Sequence, residues 1–274
     1  MTLSIGFIGT GSLGSMLIRG FIEEEAVSPE AVYIYNRTQS KAEKLKEEYS
    51  QLRVVENNRE VISHADWIFL CVKPGDFPQL LAEIGTEFTD DKIIISTLLS
   101  PPLSELDKII KGKVARIYPS ITQSTGHGVA LAAFNQKITK NERQQITNFL
   151  NHIGTTVSVP EKLFRACGDI TSCGPAFMAY MVGSLAQEAQ KHGVDKNLAE
   201  TMAKETMLGT ILLLNRHNLS FEELIKQVAT PGGCTAKGVN ELSEVLPDAI
   251  EKVFAATEAK EKDVCAQVLL NLDR

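Results

Sequence analysis

A short apolar run at residues 3–8 leads directly into Gly9-Thr10-Gly11-Ser12-Leu13-Gly14, and this junction constrains the fold more than any other stretch of the chain. Glycines at that spacing carry little weight alone. Between a strand and a helix they mark the opening turn of a βαβ unit that binds a dinucleotide. Gly9 permits the tight turn, Gly11 lets the backbone come close to a pyrophosphate, and Gly14 lets the helix pack on the strand. The helix is predicted over residues 13–25, with Leu13, Leu17 and Phe21 at helical spacing. Its N-terminus offers free N–H groups and a positive dipole end to the phosphates. Thr10, Ser12 and Leu13 complete the cofactor-binding loop.

Strands and helices continue to alternate through the first half. Strands are predicted at 32–35, 53–55, 67–72, 93–97, 114–118 and 129–133, and helices at 40–49 and 58–64. Such alternation implies βαβ units and a mainly parallel sheet. Beyond about residue 160 no strand is predicted. Residues 175–192 form a helix apolar on nearly every face, through Phe177, Met178, Met181, Val182, Leu185 and Ala189. Residues 197–215 repeat the theme through Leu198, Met202, Met207, Ile211 and Leu214. Ser220 opens a third helix, with Glu223 completing a capping box and Leu219 with Leu224 a hydrophobic staple. A helix that is apolar all round is buried on all sides. A helical half of this size does not enclose two such helices, so it is expected to pack against a second subunit. The fold class is therefore α/β: an N-terminal Rossmann domain with a mainly parallel sheet over residues 1–160, and an all-helical substrate and dimerisation domain over residues 161–274.

The bulk composition excludes several classes. A chain of 274 residues with 43% hydrophobic and 23% charged residues is an ordinary two-domain globular protein. A net charge of −6 with no basic stripe does not attract nucleic acid. Apolar runs such as 93–95 are too short to cross a bilayer. With no basic segment ahead of the glycines, no signal peptide is expected. Cys71, Cys167, Cys173, Cys234 and Cys265 form no C-x-x-C pair and read as reduced thiols of a cytoplasmic protein. His64, His127, His152, His192 and His217 are scattered, and no metal site is expected.

The end of the second strand selects the cofactor. A site for NAD(H) usually has a carboxylate about 20 residues past the glycines to bind the ribose 2′-hydroxyl. Here the strand ends Tyr35-Asn36-Arg37-Thr38, with no carboxylate to repel a 2′-phosphate. Arg37 can stack on adenine and donate to the phosphate, and Asn36 and Thr38 can add hydrogen bonds. NADP(H) is therefore expected over NAD(H). Val72-Lys73-Pro74 ends the next strong strand and is expected beside the cofactor's ribose and nicotinamide, since ligands of open α/β sheets lie beyond the strand carboxyl ends.

Two segments remain: Asp169-Ile170-Thr171-Ser172-Cys173-Gly174-Pro175-Ala176-Phe177, ahead of the first long helix, and Thr230-Pro231-Gly232-Gly233-Cys234-Thr235, between two helices. With the N-terminal glycines, Val72-Lys73-Pro74 and Tyr118-Pro119, they resemble the pyrroline-5-carboxylate reductase family in order and spacing over essentially the whole chain. The resemblance implies reduction of the cyclic imine Δ1-pyrroline-5-carboxylate to proline with NAD(P)H. It also implies an interlocked homodimer, often assembled further into decamers. Thr235 corresponds to the family threonine that hydrogen-bonds the ring nitrogen, and is the catalytic candidate. Thr230, Gly232, Gly233 and Cys234 join it as substrate-binding candidates. The residues themselves agree. Gly232 and Gly233 expose N–H groups where a helix begins, a turn able to cradle a carboxylate, while Thr230 with Pro231 also reads as a helix cap. Hydride attack on a C=N carbon asks for little beyond positioning and one proton donor near nitrogen.

The sequence also departs from the family. The usual Ser-Gly-Ser-Gly-Pro-Ala-Tyr becomes Thr171-Ser172-Cys173-Gly174-Pro175-Ala176-Phe177, and the usual Met-Pro-Asn-Thr-Pro becomes Tyr118-Pro119-Ser120-Ile121-Thr122. Gly183 replaces an acidic residue of the long helix. A divergent paralogue, of the kind some bacteria carry beside competence genes, has this character. Three readings stay open: the usual reductase, a reductase of another imine, and a regulatory NADP-binding protein. The β-hydroxyacid dehydrogenases share the two-domain plan but need a lysine on the first long helix, and none occurs between Thr171 and Gln190.

Overall fold

The computed structural model describes residues 3–272, without the side chain of residue 86. Its elements run β1 (Ile5–Ile8), α1 (Ser12–Glu23), β2 (Val32–Tyr35), α2 (Gln39–Glu48), β3 (Arg53–Val54), α3 (Asn58–His64), β4 (Trp67–Leu70), α4 (Phe77–Ile84), β5 (Ile93–Ser96), α5 (Leu103–Ile109), β6 (Lys113–Tyr118), β7 (Val129–Phe134), α6 (Lys140–Leu150), β8 (Thr155–Ser158) and α7 (Phe164–Thr171). Four longer or purely helical segments follow: α8 (Gly174–Lys191), α9 (Lys196–His217), α10 (Phe221–Val228) and α11 (Cys234–Leu272). The chain forms two compact units. Among the described residues one comprises 3–173 with 258–272, and the other 174–257.

In the first unit the eight strands lie in the order β3-β2-β1-β4-β5-β6-β7-β8, all parallel except where β6 meets β7. β1, β4 and β5 are buried along their whole length. Their almost wholly apolar character, broken only by Ser96 at the end of β5, is what a parallel strand covered on both faces requires. One face packs Phe7, Phe21, Phe69 and Phe149 together, and the other packs Ile68, Leu70, Phe77 and Ile94. Strand order reverses between β1 and β4, which is where an open α/β sheet leaves a crevice at its carboxyl edge. The sequence reading did not place β8 or the helices α4, α5, α6 and α7. β8 is mostly exposed, so no buried face gives it a period to read.

The second unit contains no strand among the described residues. Ser220 accepts the N–H of Glu223, and the Glu223 carboxylate accepts the N–H of Ser220 at 2.7 Å, which is the capping box expected at α10. Asp195 caps α9 by accepting from Leu198. The expected burial of α8 on all sides does not occur within the chain: only Gly174 and Ala186 are buried, while Tyr180 is 79% and Leu185 is 69% exposed. On α10, Phe221, Ile225 and Val228 share one face and are exposed as well. Four helices of this length have more apolar surface than they can cover for one another.

Candidate functional site

At the crevice of the first unit, three strand ends converge. Gly9 leaves β1 at φ 100° and donates its N–H to Tyr35 O at 2.9 Å, while Cys71 N–H bonds to Ile8 O at 2.8 Å. A Cβ on Gly9 would stand 2.5 Å from Cys71 O, and one on Gly14 would stand 2.2 Å from Gly9 O. These two glycines are required by the fold itself. Gly11 differs, because a Cβ there would meet nothing within 4 Å. It faces open space at the start of α1, whose first turn no side chain caps. A bare glycine at an uncapped helix N-terminus is suited to the close approach of a phosphate.

A cleft of about 440 Å³ lies along this edge. It brings together Gly9, Gly11, Asn36, Arg37, Thr38, Val72 and Lys73 of the expected cofactor residues. Thr10 and Ser12 line a neighbouring cleft between α1 and α2, with Gly11 and Lys41 shared by both. Leu13 and Gly14 support the loop from within the helix. Pro74 starts a short 3-10 turn, Pro74–Asp76, after Lys73.

Two details differ from the sequence reading. The Asn36 amide works inside the protein: its Oδ1 accepts the Thr10 N–H and its Nδ2 donates to Thr38 O, both at 2.9 Å. It ties the glycine loop to the end of β2. The expectation of no carboxylate near Arg37 holds only for β2, since Asp76 reaches across from beyond β4 and places its Oδ1 3.1 Å from Arg37 Nη1. A contact between residues 39 positions apart leaves no local trace in the sequence.

The structure adds cleft residues that motif reading missed. Asn58, at the start of α3, is 7% exposed, donates to both carboxylate oxygens of Glu83, and has an Oδ1 with no partner. Both residues line the cleft. An orphaned buried acceptor costs free energy unless something donates to it, and an adenine amino group is such a donor. Lys41, from the first turn of α2, also lines the cleft. Glycines, uncapped helix terminus and orphaned acceptor together fit an adenine dinucleotide.

The second candidate segment lies in the other unit. Gly233 N–H bonds to Thr230 O at 2.9 Å, and Gly232 has φ 79°. Proline at the second place and a left-handed glycine at the third are the signature of a type II turn. Lys237 N–H reaches Gly233 O, so α11 begins after Gly233. This corrects the reading of Thr230 as the cap of that helix: the turn intervenes. Gly233 also spends its N–H inside the turn, which leaves the donors of the first helical turn, from Cys234 and Thr235 onward, without helical partners. Thr230, Cys234 and Thr235 are exposed, and Thr235 borders an apolar hollow with Leu213, Leu224, Ile225 and Val239.

Two of the residues that depart from the family, Ser120 and Ser172, tie the segment after β6 to the end of α7. Ser120 Oγ donates to Thr171 O at 2.6 Å, and Ser172 Oγ donates to Pro119 O at 2.8 Å. Arg165 links Asp169, Tyr118 and Cys173, with Nη2 3.2 Å from Cys173 Sγ. Burial of the Tyr118 hydroxyl raises its pKa.

Comparison with known proteins gives two matching family models. Residues 4–100 match NADP oxidoreductase coenzyme F420-dependent, and residues 161–264 match pyrroline-5-carboxylate reductase dimerisation. ComE operon protein 4 of Bacillus subtilis is 34% identical, covering 96% of this chain and 97% of its own. Pyrroline-5-carboxylate reductase of Methanosarcina acetivorans is 29% identical, covering 88% and 89%. Among solved structures, Plasmodium falciparum pyrroline carboxylate reductase with NADP bound superposes with a TM-score of 0.81 at 20% identity, covering 98% of each chain. A Rossmann unit carrying this cleft, followed by a helical unit, defines an NADP(H)-linked oxidoreductase. More narrowly, the chain belongs to the pyrroline-5-carboxylate reductase family.

Proposed function

We propose that the protein uses NADPH to reduce a cyclic imine carboxylate, Δ1-pyrroline-5-carboxylate first among them, to the corresponding amine, L-proline. The observation that carries this reading is the Thr230–Gly233 turn, which sets Thr235 in the first turn of α11 beside uncapped N–H donors. In this reading those donors and the Gly232 backbone hold the substrate carboxylate, with Thr230 and Cys234 at the rim. The Thr235 hydroxyl hydrogen-bonds the ring nitrogen. When bound, the nicotinamide supplies the hydride. Gly9, Thr10, Gly11, Ser12, Leu13 and Gly14 hold the pyrophosphate, Arg37 with Thr38 meets the 2′-phosphate, and Val72, Lys73 and Pro74 flank the ribose and nicotinamide. Asn36 acts by holding the loop in shape. The division into a nucleotide-binding region, 1–160, and a substrate and dimerisation region, 161–274, is supported by where the two family models fall.

A homodimer accompanies this reading, since a second copy would cover the apolar faces of α8 and α10. No helix among the described residues is long and apolar enough to cross a membrane, and the reading places the protein in the cytoplasm. The deciding experiment is a steady-state assay with NADPH and pyrroline-5-carboxylate beside a titration with NADP alone. Turnover supports the reductase. Tight NADP binding without turnover supports a second reading, a regulatory NADP-binding paralogue, which the 34% identity to ComE operon protein 4 and the departures from the family at Ser120, Ser172 and Cys173 favour.

A further inference from the structure

We propose that Asp76 sets the cofactor selectivity of the cleft: its carboxylate competes with the 2′-phosphate of NADP(H) for Arg37, and so restrains the preference for NADPH over NADH. This rests on the reading of the cleft as an NADP(H) site.

Arg37 and Asp76 come from opposite walls, one from the end of β2 and the other from the turn after β4, and their side chains meet at 3.1 Å. The pair is open to solvent, with the side chains 74% and 38% exposed. An exposed ion pair adds little to the stability of a fold, so stability does not account for it. Helix geometry does not account for it either. Asp76 occupies the N-cap position of α4, where an aspartate ordinarily accepts an N–H of the first turn, yet its side chain makes no cap bond. The backbone N–H of Asp76 closes the turn onto Lys73 O at 2.9 Å, and the carboxylate is left facing Arg37.

A 2′-phosphate brings nearly two negative charges to this place. To engage Arg37 it must displace or tolerate the Asp76 carboxylate. The 2′-hydroxyl of NAD(H) meets no such repulsion, and can donate to a carboxylate as it does in NAD sites. Lys41 lines the same cleft with no carboxylate in ion-pair distance among the described residues, so a second cation remains for the phosphate. The arrangement admits NADPH while restraining the margin over NADH.

The test titrates the full-length protein with NADPH and with NADH, comparing the parent with Asp76→Asn and with Asp76→Ser. NADPH should bind roughly 2- to 5-fold more tightly to both variants, the scale of one exposed charge pair. NADH should bind equally or more weakly, and thermal stability should stay close to the parent's. Unchanged or weaker NADPH binding, or equal tightening of both cofactors, overturns the proposal alone. A parent that binds no NADPH overturns the cofactor reading along with it.

Discussion

Arg37 and Thr235 are the residues on which the two halves of the proposed chemistry turn. Arg37→Ala removes the group aimed at the 2′-phosphate. NADPH binding should weaken by about 1.5–3 kcal/mol, the range for a charge-assisted hydrogen bond, with NADH nearly unaffected. Equal losses for both cofactors, measured by titration, would assign Arg37 to the turn alone. Thr235→Ala deletes a hydroxyl but keeps the Thr230–Gly233 turn and the α11 donors. kcat/KM for pyrroline-5-carboxylate should drop about 10- to 1000-fold with NADPH affinity unchanged, and Thr235→Ser should recover much of it. Full activity in the alanine variant would remove the family role from this residue. Both positions were legible in the sequence because each sits in a motif whose backbone is set locally. Asp76 and Asn58 were not, because their relevance comes from partners brought in by sheet order.

At the scale of elements, the glycine loop separates fold from function. Gly14→Ala would force a Cβ to 2.2 Å from Gly9 O, an overpacking against backbone that should cost about 1–3 kcal/mol or more. Gly11→Ala meets no protein atom within 4 Å. Its melting temperature should match the parent's while cofactor binding is lost, since the methyl group occupies the approach of the pyrophosphate. If Gly11→Ala binds NADPH normally, the phosphate does not lie where the loop implies. At α10, Ser220→Ala removes the cap and should destabilise by about 1 kcal/mol, read from denaturant unfolding. That cap was visible in sequence because both partners lie within three residues. The α11 boundary was not, because Thr-Pro-Gly-Gly serves equally as a cap or a turn until Gly233 N–H is seen to bond Thr230 O.

Over the whole molecule, exposed apolar surface and buried charge make separate demands. Sedimentation at micromolar concentration should find no monomer, given Tyr180, Leu185 and Phe221 standing open on the single chain. A stable folded monomer would refute the dimer. In the first unit, Glu261 of α11 lies within 3.9 Å of Arg116 and 3.8 Å of Arg165. Burial raises its pKa above the ordinary glutamate range, with Arg165 and Arg116 offsetting this only in part, and Asp169 and Glu161 adding to it. A carboxyl whose folded pKa is raised holds its proton longer in the native state. Stability is therefore lost as pH rises from the unfolded pKa through the folded one. Glu261→Gln removes that loss, so its melting temperature relative to the parent should climb between pH 4 and pH 7. A difference that stays flat or falls with pH would show that ionised Glu261 is not penalised.

The sequence by itself determined what depends on short spacing: the strand–glycine–helix junction, the alternation that makes a parallel sheet, the cap at Ser220 and the apolar excess of α8. Each is a matter of hydrogen bonds, periodicity or composition within one segment. The tertiary structure decided what depends on the order of strands and the walls of the cleft. It set Asp76 against Arg37, left Asn58 Oδ1 buried without a donor, and tied Ser120 to Thr171 and Ser172 to Pro119. These contacts join residues tens of positions apart, and such distances close only when the sheet has assembled.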